Sequence, residues 1–302
     1  MTDREHADCR GRVRTCRTER EYVYADGHRV MYIEEEFSPD GDLLERRHRN
    51  PDGSEWSICC EYDERGQKRE KQHISNEGAP QELFVYKYDA LGRLERVVEH
   101  SQGRQRVSES IKYWPDGTKT QTSYPAPLTD EQRRTTSACG PAILHWSADT
   151  VCIMKSFDPS GRAVREVLYD ADDRVIRRIA FVYDEHGRLI EEGELIGGRI
   201  REDFRHIYRY DASGRRIEAD MRWGDLIGER RRYGYNSHDD PIETVIEQSN
   251  LLTDESIARS WTERSRHTYD EHGNWTERVT EVLTPNLDAR VSMIERRYLI
   301  YY

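Results

Sequence analysis

The chain has 302 residues, with 47 Lys plus Arg against 58 Asp plus Glu, a formal net charge of −11 and a pI near 5.6. Only 35% of its residues are hydrophobic and 35% are charged, for a mean hydropathy of −0.98. No window approaches the ~18 uncharged apolar residues of a spanning helix, a thick apolar core is excluded, and an acidic surface with interleaved bases has no general attraction for nucleic acid. The 18 Tyr, 6 Trp and 5 Phe, regularly spaced, argue for an ordered but thin structure rather than disorder.

Residues 1–20 lack the apolar run of a secretory signal and are expected to form a first strand or an unordered start. Residues 21–122 form a first repeat block. Its copies are Phe37-Ser-Pro-Asp-Gly41, Tyr62-Asp63-Glu-Arg-Gly66, Tyr88-Asp89-Ala-Leu-Gly92-Arg and Tyr113-Trp-Pro-Asp-Gly117, whose aromatics lie 25, 26 and 25 residues apart. Plainer turns fall midway: Pro51-Asp-Gly53, Asn76-Glu-Gly78 and Ser101-Gln-Gly103. Residues 123–150 break the pattern. Two prolines open this insertion, Thr129 is placed to cap a short helix, Cys139-Gly-Pro breaks the chain again, and Ile143, Leu144 and Trp146 could pack inside. Residues 151–302 resume the repeat with Phe157-Asp-Pro-Ser-Gly161-Arg, Tyr183-Asp184-Glu-His-Gly187-Arg, Tyr210-Asp211-Ala-Ser-Gly214-Arg and Tyr269-Asp270-Glu-His-Gly273-Asn. Two copies, Tyr169-Asp-Ala-Asp-Asp173 and Tyr235-Asn-Ser-His-Asp239, carry Asp in the glycine slot. The stretch 248–257 reads as a longer loop.

One copy explains itself chemically. The residue after the aromatic accepts backbone N–H bonds in an Asx turn, glycine supplies positive φ, and the aromatic ends the incoming strand and packs across to its neighbour. A turn about every twelve residues predicts some twenty strands of about eight residues. The fold class expected is all-β: repeated antiparallel hairpins in one long, strongly twisted and coiled sheet, with the second block continuous with the first. Aromatic-Asp turns and plain turns should lie on opposite edges.

The ten copies resemble the YD repeats of the Rhs and teneurin families over roughly residues 20–280. The resemblance implies a spiralling sheet of hairpins, here a partial Rhs-like shell or barrel-like spiral. In long members such a sheet is a hollow shell that can enclose a polypeptide, often a toxin domain. The resemblance is to a short form, in which no plug, self-cleavage region or toxin domain is expected.

Among candidate sites, Cys139 and His145 are weak candidates for a thiol nucleophile and its base. Trp56, Trp114, Trp146, Trp223 and Trp275 could stack on a partner. His186, His238 and His272 occupy equivalent turn slots, and Asp63, Asp89, Asp184, Asp211 and Asp270 form an acidic row that capped turns explain without calcium. Cys59 and Cys60 should point to opposite faces of a strand. No cofactor or metal is expected. The function expected is that of a non-catalytic scaffold binding or partly enclosing a partner, a polypeptide first; a carbohydrate-binding module and a hydrolase near residues 123–150 are the alternatives. Nucleic acid and membrane are not expected partners, and a homodimer through open sheet edges is conceivable. The thiol-bearing, leaderless sequence points to the cytoplasm and leaves room for export by a specialised secretion route.

Overall fold

In the computed structural model, residues 2–24, 26–75, 80–125, 150–224, 226–250, 255–284 and 290–302 are described. After one helical turn, α1 (Asp3–His6), come twenty strands. The first ten are β1 (Val13–Tyr24), β2 (Gly27–Phe37), β3 (Leu43–Arg49), β4 (Glu55–Tyr62), β5 (Lys68–Ser75), β6 (Pro80–Tyr88), β7 (Leu94–Ser101), β8 (Arg104–Tyr113), β9 (Lys119–Ser123) and β10 (Cys152–Phe157). The rest are β11 (Ala163–Tyr169), β12 (Val175–Tyr183), β13 (Leu189–Ile196), β14 (Arg199–Tyr210), β15 (Arg216–Trp223), β16 (Leu226–Tyr235), β17 (Pro241–Asn250), β18 (Glu255–Tyr269), β19 (Trp275–Leu283) and β20 (Arg290–Tyr301).

Every strand pairs antiparallel with its sequence neighbours, and β20 pairs with β1 from Val13↔Tyr301 to Tyr22↔Met293. The sheet is therefore a closed barrel of hairpins. The open edges expected at the chain ends do not exist, because each end strand satisfies the other's backbone; a dimer through those edges has no edge left to use. Residues 1–20 are neither wholly strand nor unordered: α1 and a connecting stretch precede β1. Most of the loop expected at 248–257 is strand, since β17 runs to Asn250 and β18 starts at Glu255.

The repeat chemistry accounts for one rim. In the β4–β5 turn, Gly66 N–H donates to Asp63 O (3.0 Å), Asp63 N–H to Gln67 O (2.9 Å), and Asp63 Oδ1 accepts from Arg65 and Gln67 N–H (both 2.9 Å). Gly66 sits at φ 74°, the left-handed position of this turn with its bulge. Asp173 and Asp239 take the same conformation, φ 59° and 66°, in the two copies without glycine; Asp tolerates it better than most residues. Aromatic-Asp turns gather at one end of the barrel and plain turns at the other, except that the Tyr169 copy joins β11 to β12 at the plain rim. The 126–149 part of the insertion, including Thr129, Cys139, Ile143, Leu144, His145 and Trp146, lies outside the described residues. It connects β9 to β10, which pair directly, at the plain rim.

The tyrosine does more than end a strand. Its hydroxyl donates to a carbonyl two residues past the preceding repeat's glycine: Tyr88 to Lys68 (2.8 Å), Tyr113 to Leu94 (3.1 Å), Tyr183 to Ala163 (2.8 Å), Tyr210 to Leu189 (2.8 Å). The arginine after the glycine then covers the next repeat's ring, Arg93 over Tyr113 at 4.2 Å and Arg188 over Tyr210 at 5.0 Å. These repeats are thus clasped to their predecessors at the rim. The same arginine also bonds its own turn aspartate. Asp89 and Asp211 are held below the usual carboxylate range, first by the N–H four residues on and then by that guanidinium.

Candidate functional site

Residues level across a ladder share a face. Following the registers from Cys16 and Thr18 around the ring puts Glu35, Phe37, Cys60, Val97, Glu99, Glu166, Leu168, Ile179, Glu192, Phe204, Ile246, Thr280 and Glu295 on one face, all buried. Among described strand residues on the other face only Val98, Val167, Gly193 and Asp220 are buried. The crowded face of a closed ring is its concave one, so the first face lines the interior. Cys60 is inner and Cys59 outer, as the alternation predicts.

The inner face is not a continuous apolar core. Two apolar clusters, Cys9–Val13–Cys16–Phe37–Leu43 and Leu168–Ile179–Phe204, are separated by acids with partners. Arg46 Nε and Nη2 reach Glu35 Oε1 at 2.8 and 2.6 Å, Lys155 Nζ reaches Glu166 Oε2 at 2.9 Å, and Tyr208 Oη donates to Glu192 Oε1 at 2.6 Å. Glu295, fully buried, lies between Arg20 (Nε–Oε1 2.7 Å) and Arg278 (Nε–Oε2 2.5 Å), joining β1, β20 and β19 where the ring closes. His48 stacks on Trp56 at 3.8 Å; burial, then Arg46 and Arg20, push its pKa down to about 4. Burial likewise lowers His73 and His267.

Across this face, at the aromatic-Asp rim, lies the chain's own N-terminal segment. Thr2 caps α1, accepting from Glu5 N–H (3.2 Å) while its N–H donates to Glu5 Oε2 (2.7 Å). Arg4 N–H donates to Gly41 O (2.9 Å). Asp3 Oδ2 accepts from Leu43 N–H (3.0 Å) and Tyr62 Oη (3.2 Å) and stands 3.7 Å from Lys68 Nζ. Beyond the β1–β2 pair, Asp8 Oδ2 accepts from Trp275 Nε1 (2.9 Å), with Arg297 Nη1 at 3.8 Å. Arg297, stacked on Trp275 at 3.6 Å, donates to the carbonyls of Asp8 (3.0 Å) and Ala7 (3.1 Å). Buried Asn274 brackets Arg10, accepting from its N–H and donating to its carbonyl.

The sequence-predicted residues divide. The repeat Tyr, Asp and Gly residues make the rim; the aspartates' oxygens are engaged by turn N–H groups. His238 and His272 do not meet: His238 stacks on the next repeat's Tyr269 at 3.9 Å and His272 on Tyr301, at the end of β20, at 4.2 Å, while His186 is exposed beside Glu185. The described tryptophans form no single row. Trp56 is exposed near the plain rim, Trp114 is exposed in the β8–β9 turn at the other rim, Trp223 packs on Phe204 (4.5 Å), and Trp275 is buried against the N-terminal segment. Sequence reasoning missed Glu295, Arg20, Arg278, Arg297 and Asn274. Only Asn274 carried a signal: it stands where Arg93, Arg162, Arg188 and Arg215 follow the glycine in other copies.

The outer face is a lattice of ion pairs, among them Arg205–Glu191 (2.9 Å), Arg232–Glu247 (2.7 Å), Arg264–Glu243 (2.8 Å) and Arg266–Glu281 (2.8 Å). A lipid-facing barrel needs an apolar band there, and each Arg at mid-bilayer would cost roughly 2–4 kcal/mol. No described helix is long and apolar enough to cross a membrane.

A family described only as an uncharacterised protein matches residues 140–282. No curated protein matches the chain. Among solved structures, a porin-like protein from Bacteroides uniformis aligns over 95% of this chain and 96% of its own at 7% identity, TM-score 0.40. TcdB2–TccC3 without its hypervariable C-terminal region aligns over 86% of this chain at 13% identity, TM-score 0.28, and the chain spans 19% of its length. The Photorhabdus luminescens Tc holotoxin pore aligns over 91% of this chain and 18% of its own at 12% identity, TM-score 0.22.

Proposed function

We propose that the chain is a non-catalytic YD-repeat scaffold, a short closed barrel that binds a polypeptide on its inner face. One observation carries the reading: the inner rim already holds a polypeptide segment, residues 2–10, through main-chain contacts from Gly41, Arg297 and Asn274. Contacts that follow successive main-chain groups suit a peptide, and the described tryptophans form no row on which sugar rings would stack. The rim is also rich in Tyr, Trp and Arg, the side chains that anchor protein interfaces, and repeat architectures present such concave surfaces.

The test places a photo-crosslinking residue in the full-length protein, at inner Ile33 or at exposed, outer Tyr298. Each is offered an unfolded carboxymethylated polypeptide and an oligosaccharide panel. Crosslinking of the polypeptide from position 33 and not from 298, with no sugar retained, is expected. Equal crosslinking from both faces, or sugar binding without polypeptide binding, removes the proposal.

A further inference from the structure

We infer that the aromatic-Asp rim carries two separate carboxylate receptors, and that the partner it fits is a polypeptide segment with two acidic residues five positions apart flanking one helical turn. The inference rests on the polypeptide-binding reading and names the partner's chemistry. The first receptor is Leu43 N–H, the Tyr62 hydroxyl and the Lys68 ammonium, which together hold Asp3. The second is the Trp275 indole N–H and the Arg297 guanidinium, which hold Asp8. The receptors come from separate elements, β3–β5 and β19–β20, which flank the β1–β2 pair in the ring, and share no residue. A single adventitious ion pair would not produce that arrangement.

Between and beside the receptors the barrel reads backbone. Arg297 takes two successive carbonyls, and its side chain is 11% exposed, so its charge is committed to this contact. Asn274, 2% exposed, pairs with both main-chain groups of Arg10. Glu5 is exposed and its carboxylate accepts from Thr2 N–H, whereas His6, also exposed, lines the interior cavity with Arg20, Ile33 and Glu35. Asp8 lies at φ 56°, which restricts its position to residues that tolerate the left-handed region. The resident segment is therefore a tethered occupant of a groove that a second segment of the same pattern can fill. Its tether gives it an effective concentration of order millimolar, so the added segment competes poorly until the resident one is weakened.

The experiment uses an acetylated, dye-labelled peptide of residues 2–12 with Cys9→Ser, and full-length proteins whose far-UV circular dichroism matches the parent. Fluorescence polarisation should show at least tenfold tighter binding to Asp3→Asn/Asp8→Asn protein than to wild type, and a peptide with both aspartates changed to Asn should bind neither. Lys68→Met gives an independent arm: it also loosens the resident segment, yet it removes a receptor, so it must bind the acidic peptide more weakly than the double variant does. Equal affinity of the Asp and Asn peptides, or no gain on weakening the resident segment, overturns the inference. If these fail while crosslinking at position 33 persists, the two receptors are wrong and the broader polypeptide reading stands; if both fail, both fall.

Discussion

Glu295 offers the sharpest test of how the ring is held shut. Its carboxylate is fully buried between Arg20 and Arg278, on the strand that joins the two ends of the chain. Glu295→Gln keeps the shape and removes the charge, leaving two guanidiniums facing each other. Removing one member of a buried ion pair typically costs about 3–5 kcal/mol, because the remaining charge is uncompensated. Here the arginine side chains are 29% and 27% exposed and can recover part of their hydration, so we expect about 2–3 kcal/mol. For a chain of this size that is a fall in Tm of roughly 5 °C. Thermal and urea unfolding followed by circular dichroism measure it. Arg20→Met should cost clearly less in the Glu295→Gln background than in the parent, since the partner charge is already gone. The apolar triple Arg20→Met/Glu295→Leu/Arg278→Met should recover much of the loss. A Glu295→Gln protein melting within about 1 °C of wild type, or an Arg20→Met cost unchanged by the background, would refute the assignment of this triad to closure.

Two smaller predictions concern the rim and the interior. Tyr210→Phe removes the hydroxyl that satisfies Leu189 O and should cost about 1 kcal/mol in urea unfolding; a neutral result would mean that water replaces the clasp freely. The inner histidines give a pH dependence. His48 has a folded pKa of about 4 against an ordinary value of 6.5. Below pH 6.5 the unfolded chain takes up a proton that the barrel refuses until about pH 4, so the stability this residue contributes is complete above 6.5 and is lost across that window. His48→Gln should flatten the fall in denaturation midpoint between pH 6.5 and 4; an unchanged slope would show that the ring is protonated without cost.

The hairpins were legible because their causes are local. Asp63 caps N–H groups two and four residues away, Gly66 supplies its own φ, and Tyr88 reaches back about twenty residues to Lys68, so a 25-residue period in the letters reports the rim directly. The order of strands followed, since each pairs with its chain neighbours. The alternation of charges told less. Glu295 and Glu281 look alike in sequence, yet one is fully buried between two arginines and the other lies on the outer face. The 126–149 part of the insertion, with Cys139 and Trp146, lies outside the described residues, whereas residues 1–20, which the letters left open between strand and unordered start, hold the groove contacts from Thr2 to Arg10.

The sequence by itself determined an antiparallel meander with two chemically distinct rims, because each aromatic-Asp turn is written within about five residues. Only the tertiary structure decided that the meander closes, which face becomes the interior, and that the N-terminal segment lies across it. These outcomes depend on contacts such as Arg20–Glu295 and Asp8–Trp275, 275 and 267 residues apart in the chain. They also depend on twist accumulated over twenty strands, for which no short stretch of chain carries a signature.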